Sequence, residues 1–248
     1  MSLGKIVLDD HLLFIYMKGT KNKKYKKLMN KYIYPHATNF KQISDIMKNI
    51  EDLPSFRPAL SQMANESHSK YDLETLASET TFKIILTDDE SKRFPFVHYD
   101  DAIVNNRLTF HLSPNDNRSN LTNYLQSLCS DAKKITICDN YFAHNWVHTC
   151  SLFLSILPRK NLIIEYAETM PGTSTVLNSG SITEAYVHSL CPQWSVGLTT
   201  YQKYHNCHDR YLLIESSTSK IEVMISSGFS HIWQPNPKEV TCVFSEIK

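Results

Sequence analysis

The chain lacks the apolar segments that mark membrane-spanning and secreted proteins. No stretch approaches the roughly 20 apolar residues that a membrane helix needs. The longest apolar run near the N-terminus, Leu12 to Met17, is too short for the core of a secretory signal, and acidic residues precede it. We therefore expect neither a membrane-spanning helix nor a signal peptide.

Cysteine is present but lacks the spacing of metal-binding or redox-active pairs. None of the six cysteines forms a CxxC pair. Cys138, Cys150 and Cys242 sit among apolar neighbours, which is typical of buried free thiols. This usage indicates a cytoplasmic protein with reduced cysteines. We expect no cofactor.

The chain also lacks a large net charge of either sign. Its formal charge is +1, so no global field attracts it to nucleic acid or membrane, and any attraction must come from a local patch. One such patch is present, because residues 18–31 hold seven lysines and no acid. Two interpretations stay open: a solvated surface, or contact with the phosphates of nucleic acid. The second would use Lys23, Lys24, Lys26 and Lys27.

A turn cluster at Pro114–Asn117 divides the sequence. Residues 1–115 read as a mixed α+β region of unassigned role, and residues 116–248 as a second domain. In the first region, apolar residues recur at helical spacing from Phe40 to Ile50, and Pro54 ends the pattern. Two short apolar runs predict strands at Phe82–Leu86 and Leu108–Leu112.

The second region alternates between strand and helix patterns. Predicted strands are Lys134–Cys138, Leu162–Tyr166, Tyr211–Ile214, Ile221–Ile225 and Thr241–Phe244, and predicted helices cover residues 120–128, 146–157 and 181–190. This order predicts an α/β fold with a mostly parallel sheet and helices on both faces. Ligands in such folds bind beyond the carboxyl ends of the strands. Asp139, directly after a predicted strand, is therefore a candidate site residue.

The residue types needed at a phosphodiester site are concentrated just before another predicted strand. Residues 204–215 read YHNCHDRYLLIE. His208 can attack phosphorus or move a proton, Arg210 can clamp two phosphate oxygens, and Asp209 can orient an imidazole. The alternative is a structural network that pins the start of the strand. Neighbouring strand residues face opposite ways, which argues against a direct Asp209–Arg210 pair.

The histidines and tyrosines nearby have ordinary explanations as well. The spacing of His205, Cys207 and His208 is not that of a zinc site, so we expect no metal there. His144 and His148 lie one helical turn apart but lack the glutamate of an HExxH motif, which favours surface histidines. The tyrosines Tyr201 and Tyr204 either stack on bases or pack in a half-buried position.

The pattern His208-x-Arg210-x4-Glu215 resembles the HxK(x)4D motif of the phospholipase D superfamily, with arginine for lysine and glutamate for aspartate. Ser226–Gly228 is similar to the small-residue patch that follows that motif. Asp139–Tyr141 resembles the family's strand–Asp–Pro–Tyr loop, with asparagine for proline. The likeness is greatest to a divergent branch that includes the C-terminal domain of MIT (microtubule-interacting and trafficking) proteins and bacterial relatives, and it covers residues 120–248.

The resemblance implies a set of site residues. The catalytic group would be His208, Asp209, Arg210 and Glu215, and the substrate-binding group Asp139, Tyr141, Ser226, Ser227 and Gly228. Family enzymes need no metal and use two copies of the motif. This chain has one copy, so a homodimer pairing two His208 side chains would complete the site.

Two functions from different classes remain open. One is a phospholipase D-like protein that engages a phosphodiester of nucleic acid, as a nuclease-like or sensing subunit of a bacterial defence-type complex. The other is a non-catalytic module that binds protein partners through a degenerate site, as the MIT-type branch implies. Binding to anionic membrane headgroups ranks last, because the sequence has no amphipathic membrane helix.

Overall fold

The computed structural model describes residues 3–19, 23, 26, 36–48, 57–100, 103–104, 107–167, 183–204 and 208–247. The chain forms two compact units, Met1–Asn105 and Asn106–Lys248. The division falls about ten residues before the turn cluster at Pro114–Asn117. The reason is that the strand beginning at Arg107 pairs with the last strand of the second unit and so belongs to its sheet.

The first unit contains a three-stranded parallel sheet. Its strands are β1 (Val7–Leu8), β2 (Ile85–Thr87) and β3 (Phe96–His98), in that spatial order. The described helices are α1 (Asp10–Lys18), α2 (Phe40–Met47), α3 (Arg57–Met63) and α4 (Leu73–Ser78), and a two-residue strand, β4 (Ile103–Val104), follows. The strand predicted at Phe82–Leu86 thus begins three residues later than expected.

Side-chain caps define where three of these helices begin. Asp9, Asn39 and Asp72 each accept a hydrogen bond from the backbone N–H three residues further on, which satisfies a donor that the helix itself leaves free. Helix α1 ends at Gly19, whose φ of 61° is the left-handed conformation that glycine adopts without steric cost.

Seven strands of the second unit form one mixed sheet, in the order β5-β11-β10-β9-β6-β7-β8. They are β5 (Arg107–Leu112), β6 (Lys134–Cys138), β7 (Leu162–Tyr166), β8 (Trp194–Leu198), β9 (Arg210–Glu215), β10 (Lys220–Ile225) and β11 (Val240–Glu246). The predicted α/β class is confirmed. The predicted predominance of parallel pairing is wrong, because only β6–β7 and β7–β8 pair in parallel.

Chain connections explain the mixed pairing. Helical segments separate β6 from β7 and β7 from β8, as parallel neighbours require. Strands β9 and β10 are instead joined by a tight turn, closed by a hydrogen bond of 2.9 Å from Ser216 N–H to Ser219 O. That turn reverses the chain and makes the pair antiparallel.

The described helices of this unit pack on one face of the sheet, which corrects the prediction of helices on both faces. They are α5 (Ser119–Cys129), α6 (Trp146–Ser151), which continues as a π-helical turn (Leu152–Ile156), and α7 (Glu184–Leu190). Their contacts reach same-facing sheet residues: Tyr124 meets Phe110 and Phe244, Phe153 meets Trp194, and Glu184 accepts a hydrogen bond from Tyr166. The opposite face carries a polar group, Lys134, Glu165 and Glu215, and a small apolar cluster of Cys138, Ala167 and Leu213 that Tyr204 packs against.

Candidate phosphate-binding site

Three strand ends meet at one edge of the second sheet. Strand β9 begins there with Arg210, and it is antiparallel to both of its neighbours, β6 and β10. The carboxyl ends of β6 and β10 therefore lie beside its first residue. Asp139 directly follows β6, and Gly228 comes three residues after the end of β10. The topology thus brings together residues that lie far apart in the sequence.

Asp139 is the buried centre of this edge. Its side chain is 2% exposed and accepts hydrogen bonds from the backbone N–H of Tyr141 at 2.9 Å and of Phe229 at 3.2 Å. These bonds tie the loop after β6 to the turn after β10. Burial raises the pKa of the Asp139 carboxyl, although both bonds and the charge of Arg210 oppose the rise.

Arg210 lies between Asp139 and an exposed tyrosine. Its Nε is 3.8 Å from Asp139 Oδ1, which is ion-pair distance but too long for a hydrogen bond. Its Cζ lies 5.9 Å from the ring centroid of Tyr141, and that tyrosine is 49% exposed. The buried Nε has no hydrogen-bond partner among the described residues, while the side chain as a whole is 20% exposed. The guanidinium therefore keeps donor capacity for a further acceptor.

His208 and Asp209 are both exposed. Asp209 Oδ2 accepts a hydrogen bond from the Tyr211 hydroxyl at 3.3 Å, so its carboxylate faces the side of the strand opposite Arg210, as alternation predicts. His208 makes no hydrogen bond or ion pair with another residue in the described part of the chain. Its imidazole is accessible, two residues before Arg210.

The predicted small-residue patch supports the edge mainly through backbone contacts. Ser226 Oγ accepts from Thr241 N–H at 2.8 Å, and Ser227 Oγ donates to Glu239 O at 2.9 Å. Both hydroxyls are thus engaged with the chain that leads into β11. A Cβ added to Gly228 would lie 3.9 Å from both Arg210 Nε and Asp139 Oδ2, so this glycine borders the charged pair.

Glu215, predicted at the same site, lies elsewhere. It ends β9, five residues from Arg210, and a strand advances about 3.3 Å per residue, which separates the two by roughly 16 Å. Its carboxylate forms ion pairs of 3.2 Å with both Lys134 and Lys220. The structure therefore removes Glu215 from the group formed by Asp139, Tyr141, Arg210 and Gly228, which we call the Arg210 site.

One residue near the Arg210 site escaped the sequence prediction. His231 lies on the short turn Phe229–Ile232, and its pKa is lowered by burial and by the charges of Lys238 and Arg210, while Asp139 acts in the opposite direction. Lys238 N–H donates to His231 Nδ1 at 3.0 Å. In the neutral ring the proton is thus assigned to Nε2. The one feature of the sequence that could have pointed to His231 is its position three residues after Gly228.

The remaining predicted residues belong to the first unit or fall outside the described residues. Lys23 and Lys26 are exposed, whereas Lys24 and Lys27 fall outside the described residues, as do His205 and Cys207. The described residues contain no group of three or more side chains suited to a metal ion. No described helix has the length and apolarity needed to cross a bilayer.

A scan against protein-family models and a search of curated proteins both find no match to this chain. The fold itself defines the class of the second unit, which is an α/β unit with a mixed seven-stranded sheet and an arginine–aspartate pair at one edge. The phospholipase D likeness rests on the residues quoted above and enters the account as a proposal.

Proposed function

We propose that the second unit is a phospholipase D-like domain that binds a phosphodiester of nucleic acid at the Arg210 site. The observation that carries the proposal is the guanidinium itself. It stands at the sheet edge, partly exposed and 3.8 Å from a buried carboxylate, and its Nε has no hydrogen-bond partner among the residues that the structure describes. Arginine in such a position matches the paired oxygens of a phosphate.

Asp139 makes the arginine suitable for this task. The carboxylate is fixed by two backbone bonds, so it can hold the side chain of Arg210 in one orientation before ligand arrives. An arginine that is ordered in advance loses less conformational entropy on binding. Asp139 is thus a positioning residue in this proposal and does not contact the ligand.

Tyr141 favours nucleic acid over a simple phosphate. Its ring is half exposed and close to the guanidinium, so a base next to a bound phosphate could stack on it. Such stacking is worth about 1–3 kcal/mol per base. A ligand without a base would gain only the phosphate contact.

The proposal also includes hydrolysis of the bound phosphodiester. Metal-free hydrolysis needs one imidazole to attack phosphorus and form a P–N bond, while a second, protonated imidazole gives its proton to the leaving oxygen. The second imidazole then takes a proton from water, which breaks the P–N bond and frees the first imidazole. His208 is exposed and suited to the first role. A second His208, contributed by a homodimer, would take the other.

The second candidate function is a binding module without turnover, which docks protein partners. It is favoured by the engagement of the Ser226 and Ser227 hydroxyls, which bond to the chain that leads into β11 and not toward Arg210.

The test uses a fluorescently labelled single-stranded oligonucleotide with chelator present. Binding is read by anisotropy and cleavage by gel. Arg210→Ala should weaken binding at least tenfold, and Arg210→Lys, which keeps the charge but loses the two-point contact, should fall between Arg210→Ala and wild type. His208→Ala should bind normally and abolish any cleavage. The matched control is Arg107→Ala, which removes an exposed arginine from β5.

The outcomes separate the candidates. Chelator-resistant cleavage that is lost in His208→Ala supports the enzyme, and binding without cleavage supports the module. Equal affinity of wild type and Arg210→Ala would refute phosphodiester binding at this site.

A further inference from the structure

The chain approaches the Arg210 site across the sheet face opposite the helices. Residues 201–204 include a short 3₁₀ turn, Gln202–Tyr204, and their contacts are with side chains of that face. Four residues after the turn comes His208. The position of this turn therefore bears on where His208 and Arg210 are held.

Tyr201 is fixed by a cluster of charges at the far end of β9. Its hydroxyl donates to Glu215 at 3.1 Å and accepts from Lys220 Nζ at 2.8 Å. The ammonium groups of Lys134 and Lys220 also lie 4.5 and 4.3 Å from its ring centroid. Both the hydroxyl and the ring of Tyr201 are thus held, and we call these four residues the Tyr201 anchor.

The two lysines of the Tyr201 anchor are compensated by neighbouring carboxylates. Burial alone would lower the pKa of Lys134 and of Lys220, but Glu215 raises both above their ordinary value. Glu165 adds a second carboxylate, 3.5 Å from Lys134. Two cations therefore face two anions, and all four side chains are less than one third exposed. Such pairs are screened less than pairs on an open surface.

A second group of contacts, made by Tyr204 and Cys138, fixes the chain nearer the Arg210 site. The ring of Tyr204 is buried with Cys138, Ala167 and Leu213, and its hydroxyl donates to Glu222 at 2.7 Å. The Cys138 thiol lies 3.6 Å from the carbonyl oxygens of both Tyr204 and Asp209. One side chain at the end of β6 thus contacts the chain on both sides of residues 205–207.

We propose that Tyr201 and Glu215 are positioning residues, which set the Arg210 site by fixing the chain that leads into His208 and Arg210. The role of this site as a phosphate-binding site rests on the proposed function, but the fixing of the chain does not. Glu215 is then a residue that acts from roughly 16 Å away, through Tyr201, the 3₁₀ turn and the Cys138 contacts. Glu215 would then serve to position the chain and would take no part in catalysis.

A purely structural role would have a different signature. If the anchor only stabilised the second unit, its loss would lower the unfolding free energy and raise amide exchange throughout the sheet. A positioning role predicts a further, local effect that is greatest in the chain between the anchor and Arg210.

The experiment compares Tyr201→Phe and Glu215→Gln with wild type by hydrogen exchange and mass spectrometry. Both variants keep the shape of the side chain, so the fold should survive. Exchange is followed in a peptide spanning residues 199–212 and in reference peptides from α5 and β11. Tyr186→Phe is the control, since it makes the same chemical change at an exposed residue of α7. Oligonucleotide affinity is measured on the same samples.

In both variants, exchange in residues 199–212 should rise at least threefold more than in the reference peptides, whereas Tyr186→Phe should match wild type throughout. Oligonucleotide affinity should fall about threefold to tenfold in both. Unchanged exchange in residues 199–212, or an equal rise in all peptides, would overturn the inference even if wild type binds. Failure of wild type to bind would refute the proposed function, and the exchange data would still decide the positioning role.

Discussion

The two ends of strand β9 carry charged residues in opposite situations. At the Glu215 end, each charge has partners, with two lysines, two glutamates and a tyrosine in mutual contact. At the Arg210 end, one cation faces one buried carboxylate at a distance too long for a hydrogen bond, and its Nε has no partner among the described residues. A compensated cluster stabilises structure, whereas an incompletely paired cation is available to a ligand.

The largest effect should come from the acid that supports the Arg210 end. Asp139→Ala leaves the backbone N–H groups of Tyr141 and Phe229 without their acceptor and Arg210 without its buried carboxylate. It should therefore lower the unfolding free energy of the second unit by about 3 kcal/mol. Urea unfolding would measure this. Asp209→Ala changes an exposed residue directly before β9, and it should alter the unfolding free energy by less than about 0.5 kcal/mol. Equal effects of the two variants would mean that Asp139 does not organise the edge.

The opposite end should be sensitive to the loss of its central anion. Glu215→Ala removes the carboxylate that pairs with both Lys134 and Lys220 and leaves Glu165 beside Lys134, so the unfolding free energy should fall by about 2 kcal/mol. Lys203→Ala, which removes a more exposed lysine of the same face, is the matched comparison and should cost less than about 1 kcal/mol. A larger loss for Lys203→Ala would contradict the account of the anchor.

Salt should distinguish the two ends further. Oligonucleotide affinity should fall as salt rises, because phosphate binding releases counterions, and Arg210→Ala should reduce the slope of log K against log salt by about 1. Glu215→Gln should weaken binding with the slope unchanged, because Glu215 does not meet the phosphate. If Glu215→Gln alters the slope and Arg210→Ala does not, the roles of the two ends are reversed.

The smallest effect concerns pH. The pKa of Asp139 in the folded protein is raised above its ordinary value of 3.8, so at mildly acidic pH the folded state holds this proton more tightly than the unfolded state. Protonation of Asp139 therefore favours folding as pH falls through the raised pKa, and its ionisation disfavours folding as pH rises. Asp139→Asn should lack this contribution. The difference in unfolding free energy between wild type and Asp139→Asn, measured from pH 7 down to pH 4, should shift in favour of wild type.

Much of the second unit could be predicted from its sequence. The β-branched runs at Lys134–Cys138 and Leu162–Tyr166 form strands with the predicted bounds, because buried strands require apolar residues of this kind. The placement of Asp139 at a strand end also followed from the pattern. Strand β8 was missed, because Trp194–Leu198 includes serine and glycine and its burial alternates weakly.

Pairing direction and the position of Glu215 could not be predicted with the same success. Strand order depends on how the chain returns across the sheet, and the pattern of apolar residues does not report it. The error over Glu215 is different in kind, since five residues along an extended strand span roughly 16 Å. The motif spacing itself therefore placed Arg210 and Glu215 too far apart for one phosphate, once both were assigned to a single strand.

The central claim is that the guanidinium of Arg210, which is incompletely hydrogen-bonded within the described part of the chain, binds the phosphate. The most direct measurement follows the ¹⁵N–¹H signal of the Arg210 Nε during titration with a short phosphodiester oligonucleotide, assigned by its loss in Arg210→Lys. The account predicts a saturable shift of this signal with the same midpoint as binding by anisotropy. Binding that saturates while the Arg210 Nε signal stays unchanged would contradict it.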